Sequence, residues 1–300
     1  MKRMHWFTLI LAWLASAAAL AGDLKPFILS TIKPAGIEEG VSKIKSALSS
    51  AGFTIVGEYA PKSETHIIVV TNDALKTLAA KSERGGFGAM ERVAVVKHNG
   101  ALEVSYTNPT YWWNAYRMAG DIKPVQAAME KALGNAGQFG VEPGLSASEL
   151  RDYHYKFMMP YFTDVDELEE YDSHQQGIDV IEKNLAKRVD GALKVYRIDI
   201  PGTEMTVWGV GFTQSAAADK YVLDNIDHGA HSHAAHLPYE LLLDGKQAVA
   251  LNGKFRIAIS WPGLPMGEFM KIMRTPDDIE TTLEDVADPM GRVKDDENGF

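Results

Sequence analysis

No cysteine occurs in the chain, which removes disulfide staples, thiolate metal ligands and thiol nucleophiles together. Basic side chains are in deficit, with 30 Lys and Arg against 40 Asp and Glu and a formal charge of −10. Such a field repels phosphate backbones and anionic lipid, so nucleic acid and membrane surfaces are poor partners. There is no Gly-x-Ser-x-Gly elbow, no His-Glu-x-x-His helix and no carboxylate pair set apart as acid and base. Gly85-Gly86-Phe87-Gly88 lacks the spacing of a dinucleotide fingerprint. These absences point to a protein that binds instead of catalysing.

The longest apolar stretch, residues 6–20, follows Met1-Lys2-Arg3 and ends at Ala19-Leu20-Ala21 before Gly22. It is shorter than the ~20 residues that span a bilayer. A basic start, a short apolar core and small residues before the cut are the marks of a cleaved secretory signal. The expectation is a periplasmic or secreted protein whose mature chain starts at Gly22, with no membrane association after cleavage. No Cys lies near the cut to carry a lipid. With no disulfides, stability must come from a core. The mature length and a 46% hydrophobic content allow one large domain or two ordinary ones.

Hydrophobic periodicity reads through the same order of elements twice. The first pass predicts a strand over 27–32, then a helix with Ile37, Val41, Ile44, Leu48 and Ala51 on one face, stopped by Gly52. Strands over 53–59 and 66–71 follow, then a short helix over 72–80 and strands over 92–97 and 102–107 turning at Asn99-Gly100. Pro109 ends the sheet, and a helix with Val125, Met129 and Leu133 closes the unit.

The second pass predicts a strand over 155–162, a helix with Ile178, Ile181 and Leu185, and strands over 193–200 and 205–212. A short helix with Ala218, Tyr221, Val222 and Ile226 follows, then strands over 237–243, 248–251 (an addition to the plan) and 255–261. A helix with Ile279, Leu283 and Val286 ends it. The acidic run 163–172 reads as a solvated loop. The stretch 134–150, rich in Gly, Ser and Ala, reads as a linker. The expected organisation is a signal over 1–21, a first domain over 22–135, a linker over 136–150, a second domain over 151–290 and a flexible tail over 291–300.

The strand at 27–32, the helix ending Ala51-Gly52-Phe53, the hairpin across Asn99-Gly100 and the terminal Tyr106-Thr107-Asn108-Pro109 resemble the bacterial domain-of-unknown-function 302 family. The second pass repeats the plan more loosely. The resemblance implies an α+β fold of two similar β-α-β(4)-α units, antiparallel sheets with helices on one face. It also implies pairing, as a homodimer or as an internal pseudo-dimer of the two halves. It implies no activity.

Four of the nine histidines fall in Asp227-His228-Gly229-Ala230-His231-Ser232-His233-Ala234-Ala235-His236. Imidazole is the commonest transition-metal ligand, and a nitrogen-only set favours zinc or copper over magnesium or calcium. On a helix these four would fan over more than half the circumference, so a loop freed by Gly229 is the geometry that would gather them. His231 and His233 share a face if extended. Asp227 or Glu240 would orient a ring or add a carboxylate. Affinity would fall below the imidazole pKa of ~6.5. A polar loop with His236 packed under the next strand is the competing reading. The matching stretch of the first pass, Arg84 to Met90, has no histidine.

Met266, Phe269, Met270 and Met273 follow helical spacing and read as core, although thioethers also select copper(I), and Met158-Met159 lie in the same half. Tyr111-Trp112-Trp113 and Tyr116 read as packing between the halves. The lead functional expectation is transition-metal binding, copper or zinc, through His228, His231, His233 and His236. The alternative is a module for a small apolar ligand or a protein, with a pocket lined by Trp208, Phe212, Trp261 and the methionine stripe. A hydrolase with a metal-bound water and Glu240 as base ranks last.

Overall fold

A computed structural model describes residues 24–290. The expected leader and the expected tail over 291–300 lie outside the described residues. Two antiparallel sheets carry the core. The first contains β1 (Phe27–Leu29), β2 (Thr54–Tyr59), β3 (Thr65–Thr71), β4 (Glu91–His98), β5 (Ala101–Thr107) and β6 (Gln138–Phe139), in the order β2-β3-β4-β5-β1-β6. The second contains β7 (Val165–Glu170), β8 (Ala192–Ile200), β9 (Met205–Phe212), β10 (Tyr239–Asp244) and β11 (Gln247–Leu251), in the order β7-β11-β10-β9-β8. Helices complete a mixed α+β architecture.

Local signals explain most boundaries. The helix Ile37–Ser50 buries Ile44 and Leu48 and stops where Gly52 takes φ +86°, a left-handed conformation that costs glycine little. Asn99 (φ +50°) and Gly100 (φ +81°) both take positive φ, the twist that a two-residue hairpin between β4 and β5 requires. Asn72 accepts the Leu75 N–H at 2.8 Å and starts the helix Asp73–Ala79.

Two elements of the second half differ from expectation. The stretch 155–162 is no strand: Met158 sits at φ +67°, and the Tyr153 and Tyr155 hydroxyls donate to the Ala258 and Leu264 carbonyls instead of a ladder forming. The partner of β11 is the acidic run read as a loop. As β7 it pairs on one side only, and an edge strand tolerates carboxylates that face water.

The stretch 255–261 is mostly helix, Gly253–Ser260. Phe255, Ile257, Ile259 and Trp261 alternate with Arg256, Ala258 and Ser260, a period of two that reads as a strand; the helix forms instead with Arg256 and Ser260 buried and bonded to each other. Asn252-Gly253 is its start, with the Asn252 side chain accepting the Lys254 N–H at 3.0 Å, and not a hairpin turn. The strand expected over 248–251 is β11, which pairs with β10 and β7. A helix follows it, Gly253–Ser260, and the helix Pro109–Ala115 follows β5.

The stretch 134–150 is ordered. β6 pairs with β1, Leu145 bridges to Leu24, and Ser146 and Glu149 form a capping box on the helix Ala147–Arg151. The halves meet along β2 and β8, where Gly57 is needed because a Cβ there would lie 2.2 Å from the Val195 carbonyl oxygen. A short turn from each half also lies on the other sheet. Gly85–Gly88 packs on β9 and β10, and Ala234–His236 packs on β4 and β5.

Candidate functional site

Arg92 on β4 and Glu240 on β10 form an ion pair, both side chains almost fully buried. Arg256, from the helix Gly253–Ser260, donates its Nε to the other Glu240 oxygen at 3.2 Å. Its remaining donors reach Ser260 Oγ at 2.8 Å and the His236 carbonyl. The Arg256 guanidinium lies 5.0 Å from the Trp112 ring and 5.5 Å from Tyr239. Tyr111 donates to the Ile259 carbonyl at 2.8 Å, so the Tyr111-Trp112 cluster does pack between the halves. Burial pushes Glu91 up to about 8, and the carboxylate bonded to both arginines is Glu240. Glu240 is thereby committed to arginines and has no free oxygen to serve as a base or a metal ligand.

The histidine loop abuts this centre. Asp227, at the end of the helix Asp219–Ile226, accepts from the Ser232 hydroxyl at 2.6 Å, the His233 N–H at 2.8 Å and the His233 ring Nδ1 at 3.3 Å. Burial alone would raise its pKa, but these bonds hold the Asp227 carboxyl below the usual value. Glu103 on β5 accepts the Ser232 N–H at 2.7 Å and His231 Nδ1 at 2.9 Å. His98 Nε2 and Asn99 Nδ2, at the tip of the first hairpin, donate to the Gly229 carbonyl at 2.8 and 3.1 Å.

The four candidate ligands end in different surroundings. His228 is exposed. His231 turns toward Glu103 and the Phe139 ring, 5.0 Å away. His233 stacks on Trp261 at 5.2 Å and meets the Phe27 ring edge-on at the same distance. His236 lies 4.5 Å from Trp261, fully buried. Burial, together with Arg256, His233 and Arg92, holds its pKa well below the ordinary imidazole value.

Among the described residues, neither nitrogen of His236, nor Nε2 of His233, has a hydrogen-bond partner. Among the described residues, no group of three or more His, Cys, Asp or Glu side chains is arranged to hold a metal ion. Asp227 orients His233 as the sequence suggested, and His236 packs against the Tyr239 ring of the following strand. Sequence spacing did not reveal Glu103, because it reaches the loop from the other half.

Trp261 also floors a cleft of about 200 Å³, walled by Met158, Met159, Ile257, Ala258, Leu264, Met266 and Phe269, with Tyr155 and Lys254 as its polar members. Its indole N–H is buried without a partner. Of the expected pocket residues, Trp208 and Phe212 lie elsewhere. Trp208 donates to Glu182 at 2.9 Å beneath the helix His174–Lys187, and Phe212 packs on Tyr239. The methionine stripe is not core: Met266, Met270 and Met273 are about half exposed, while Ile272 between them is buried. Lys254 and Ile257 were invisible as cleft residues in the sequence, since their run reads as a strand.

No known family model, curated protein or solved structure matches the chain.

Proposed function

We propose that the protein is an exported binding protein and that the Trp261 cleft takes a small apolar or aromatic molecule. One observation carries this reading: a partly open, mainly apolar cleft of about 200 Å³ with few polar groups at its wall. Small-molecule sites have this composition, apolar walls with a few polar groups that fix orientation. Lys254, at the wall and 3.8 Å from Asp277, is the group that an acidic end of a ligand would meet. Titration calorimetry with short fatty acids and substituted benzoates tests it. A member of the panel should saturate the protein, with binding weakened by Phe269→Asp at the cleft wall and abolished by Trp261→Leu. Indifference to the whole panel at millimolar concentration would end the reading.

A second reading keeps a transition metal, copper or zinc, at the histidine loop. It draws support from the buried, unpartnered nitrogens of His233 and His236. Against it stand the Arg92 and Arg256 charges that act on His236 and the carboxylates that hold His231 and His233 elsewhere. Elemental analysis after dialysis, repeated with His233→Ala, decides it. Retained metal that vanishes in the variant would support chelation.

We also read the chain as a tandem of two related units that pair internally. The order β2-β3-β4-β5-β1 and the order β8-β9-β10-β11-β7 support that reading, as do the two turns that each half lays on the other's sheet. Export rests on residues 1–21 alone, and a mature N-terminus at Gly22 by protein sequencing would establish it.

A further inference from the structure

We propose that His154, Met158, Met159 and Met266 form a site for a soft monovalent cation, copper(I), with silver(I) as its redox-inert probe. This goes beyond the apolar-ligand reading and uses a different chemistry at the rim of the same region.

The placement of the four side chains carries the proposal. Three neighbouring clefts meet here. One is lined by His154, Met158 and Met159, a second by His154 and Met266, and a third by Met158, Met159 and Met266. Every pair among the four therefore shares a wall. Consecutive residues in an extended strand point to opposite faces, which would separate Met158 from Met159. The left-handed conformation at Met158, φ +67°, breaks that alternation, and both thioethers line the same two clefts.

His154 supplies an independent sign. Among the described residues its Nδ1 is buried and has no hydrogen-bond partner, while the ring rests 4.5 Å from Tyr161. A buried ring nitrogen left without a partner is costly, and in the tautomer with its lone pair on Nδ1 a bound cation would use it. Met158 is 87% exposed and Met266 45% exposed, so these sulfurs are not consumed by packing.

The donor set selects the ion. Thioether and imidazole are neutral, and soft thioethers prefer copper(I) to magnesium, calcium or zinc. The chain has no thiol to compete for it. Asp164 lines the first cleft and offsets positive charge; Lys254, at the same wall, is turned to Asp277 at 3.8 Å. Among the described residues lining these clefts there is no arginine, unlike the surroundings of His236, and Lys156 lines the second. Thioethers need no deprotonation, so only the imidazole arm makes binding depend on pH.

The test is calorimetric titration of the full chain with silver nitrate in chloride-free buffer, with copper(I) competition against bicinchoninate under anaerobic conditions. One ion per chain is expected. His154→Ala and the double variant Met158→Leu/Met159→Leu should each weaken binding by about ten-fold or more, since ligand loss costs at least what loss of a supporting group does. Leucine preserves volume, so folding survives the exchange. Met270→Leu/Met273→Leu should leave binding unchanged, and so should His233→Ala. In methyl NMR of labelled methionines, Met158, Met159 and Met266 should shift on silver addition. Binding that persists in His154→Ala with Met158→Leu/Met159→Leu, methyl shifts confined to Met270 and Met273, or no binding at all would overturn the proposal. Retention of apolar-ligand binding in His154→Ala separates this site from the Trp261 cleft.

Discussion

Arg92 and Glu240 come from the middle strands of different sheets, and their ion pair passes through the buried interior where the halves meet. Glu240 also holds Arg256. Removing one partner of a buried pair leaves an uncompensated charge, which costs more than the pair itself contributes. Glu240→Gln is expected to destabilise the chain by about 3–5 kcal/mol in urea unfolding. Arg92→Met combined with Glu240→Leu should cost less than the single change.

Stability should fall as pH rises from the ordinary carboxylate range to about neutral. Burial pushes the Asp219 carboxyl up from 3.8 to about 7, against the lowering effect of bonds from the Phe212 N–H and the Tyr59 hydroxyl. The folded chain then holds a proton that the unfolded chain has lost. The associated stability is complete below the unfolded value and disappears as pH passes the folded one. Over that window the loss amounts to up to about 4 kcal/mol. Glu91, raised to about 8, adds the same sign. The gap between urea midpoints at pH 5 and pH 8 should narrow in Asp219→Asn, with Glu91 leaving a remainder; an unchanged gap would refute the assignment.

The seam between β2 and β8 depends on a missing side chain. Gly57→Ala would place its Cβ 2.2 Å from the Val195 carbonyl oxygen, and overpacking of this kind costs about 1–3 kcal/mol. Gly267→Ala, with nothing within 4 Å, should stay within about 0.5 kcal/mol of the parent. Thermal unfolding of the two variants makes the comparison.

Glu103 clasps the histidine loop from the other half, through the Ser232 N–H and His231. Glu103→Ala leaves a buried backbone N–H unpaired, a cost of about 1–3 kcal/mol. Limited proteolysis should then cut near Gly229 and Ala230 faster than in the parent chain. Equal rates would mean that Asp227, His98 and Asn99 hold the loop without Glu103.

Much of the fold was legible because it rests on local physics. Gly52, Asn72 and the Asn99-Gly100 turn each dictate a boundary through their own backbone preferences. Where burial surrounds a segment, that information vanishes. Phe255 to Ser260 alternates like a half-exposed strand, yet Arg256 and Ser260 are buried and bonded inside the protein, so the alternation marks no solvent face. β7 misled for the opposite reason: an edge position lets a strand carry the charges of a loop.

The residue content alone determined that the chain lacks thiols, is acidic, and concentrates its imidazoles before β10. Tertiary structure decided what those imidazoles do. Glu103 fastens one, Asp227 another, and the arginines of the junction neighbour a third. Hydrogen-bond partners and cleft walls are supplied by strands and turns far apart in the chain, so no short window of sequence contains them. Spacing can bring donors close along a backbone; only packing chooses the direction in which each lone pair is spent.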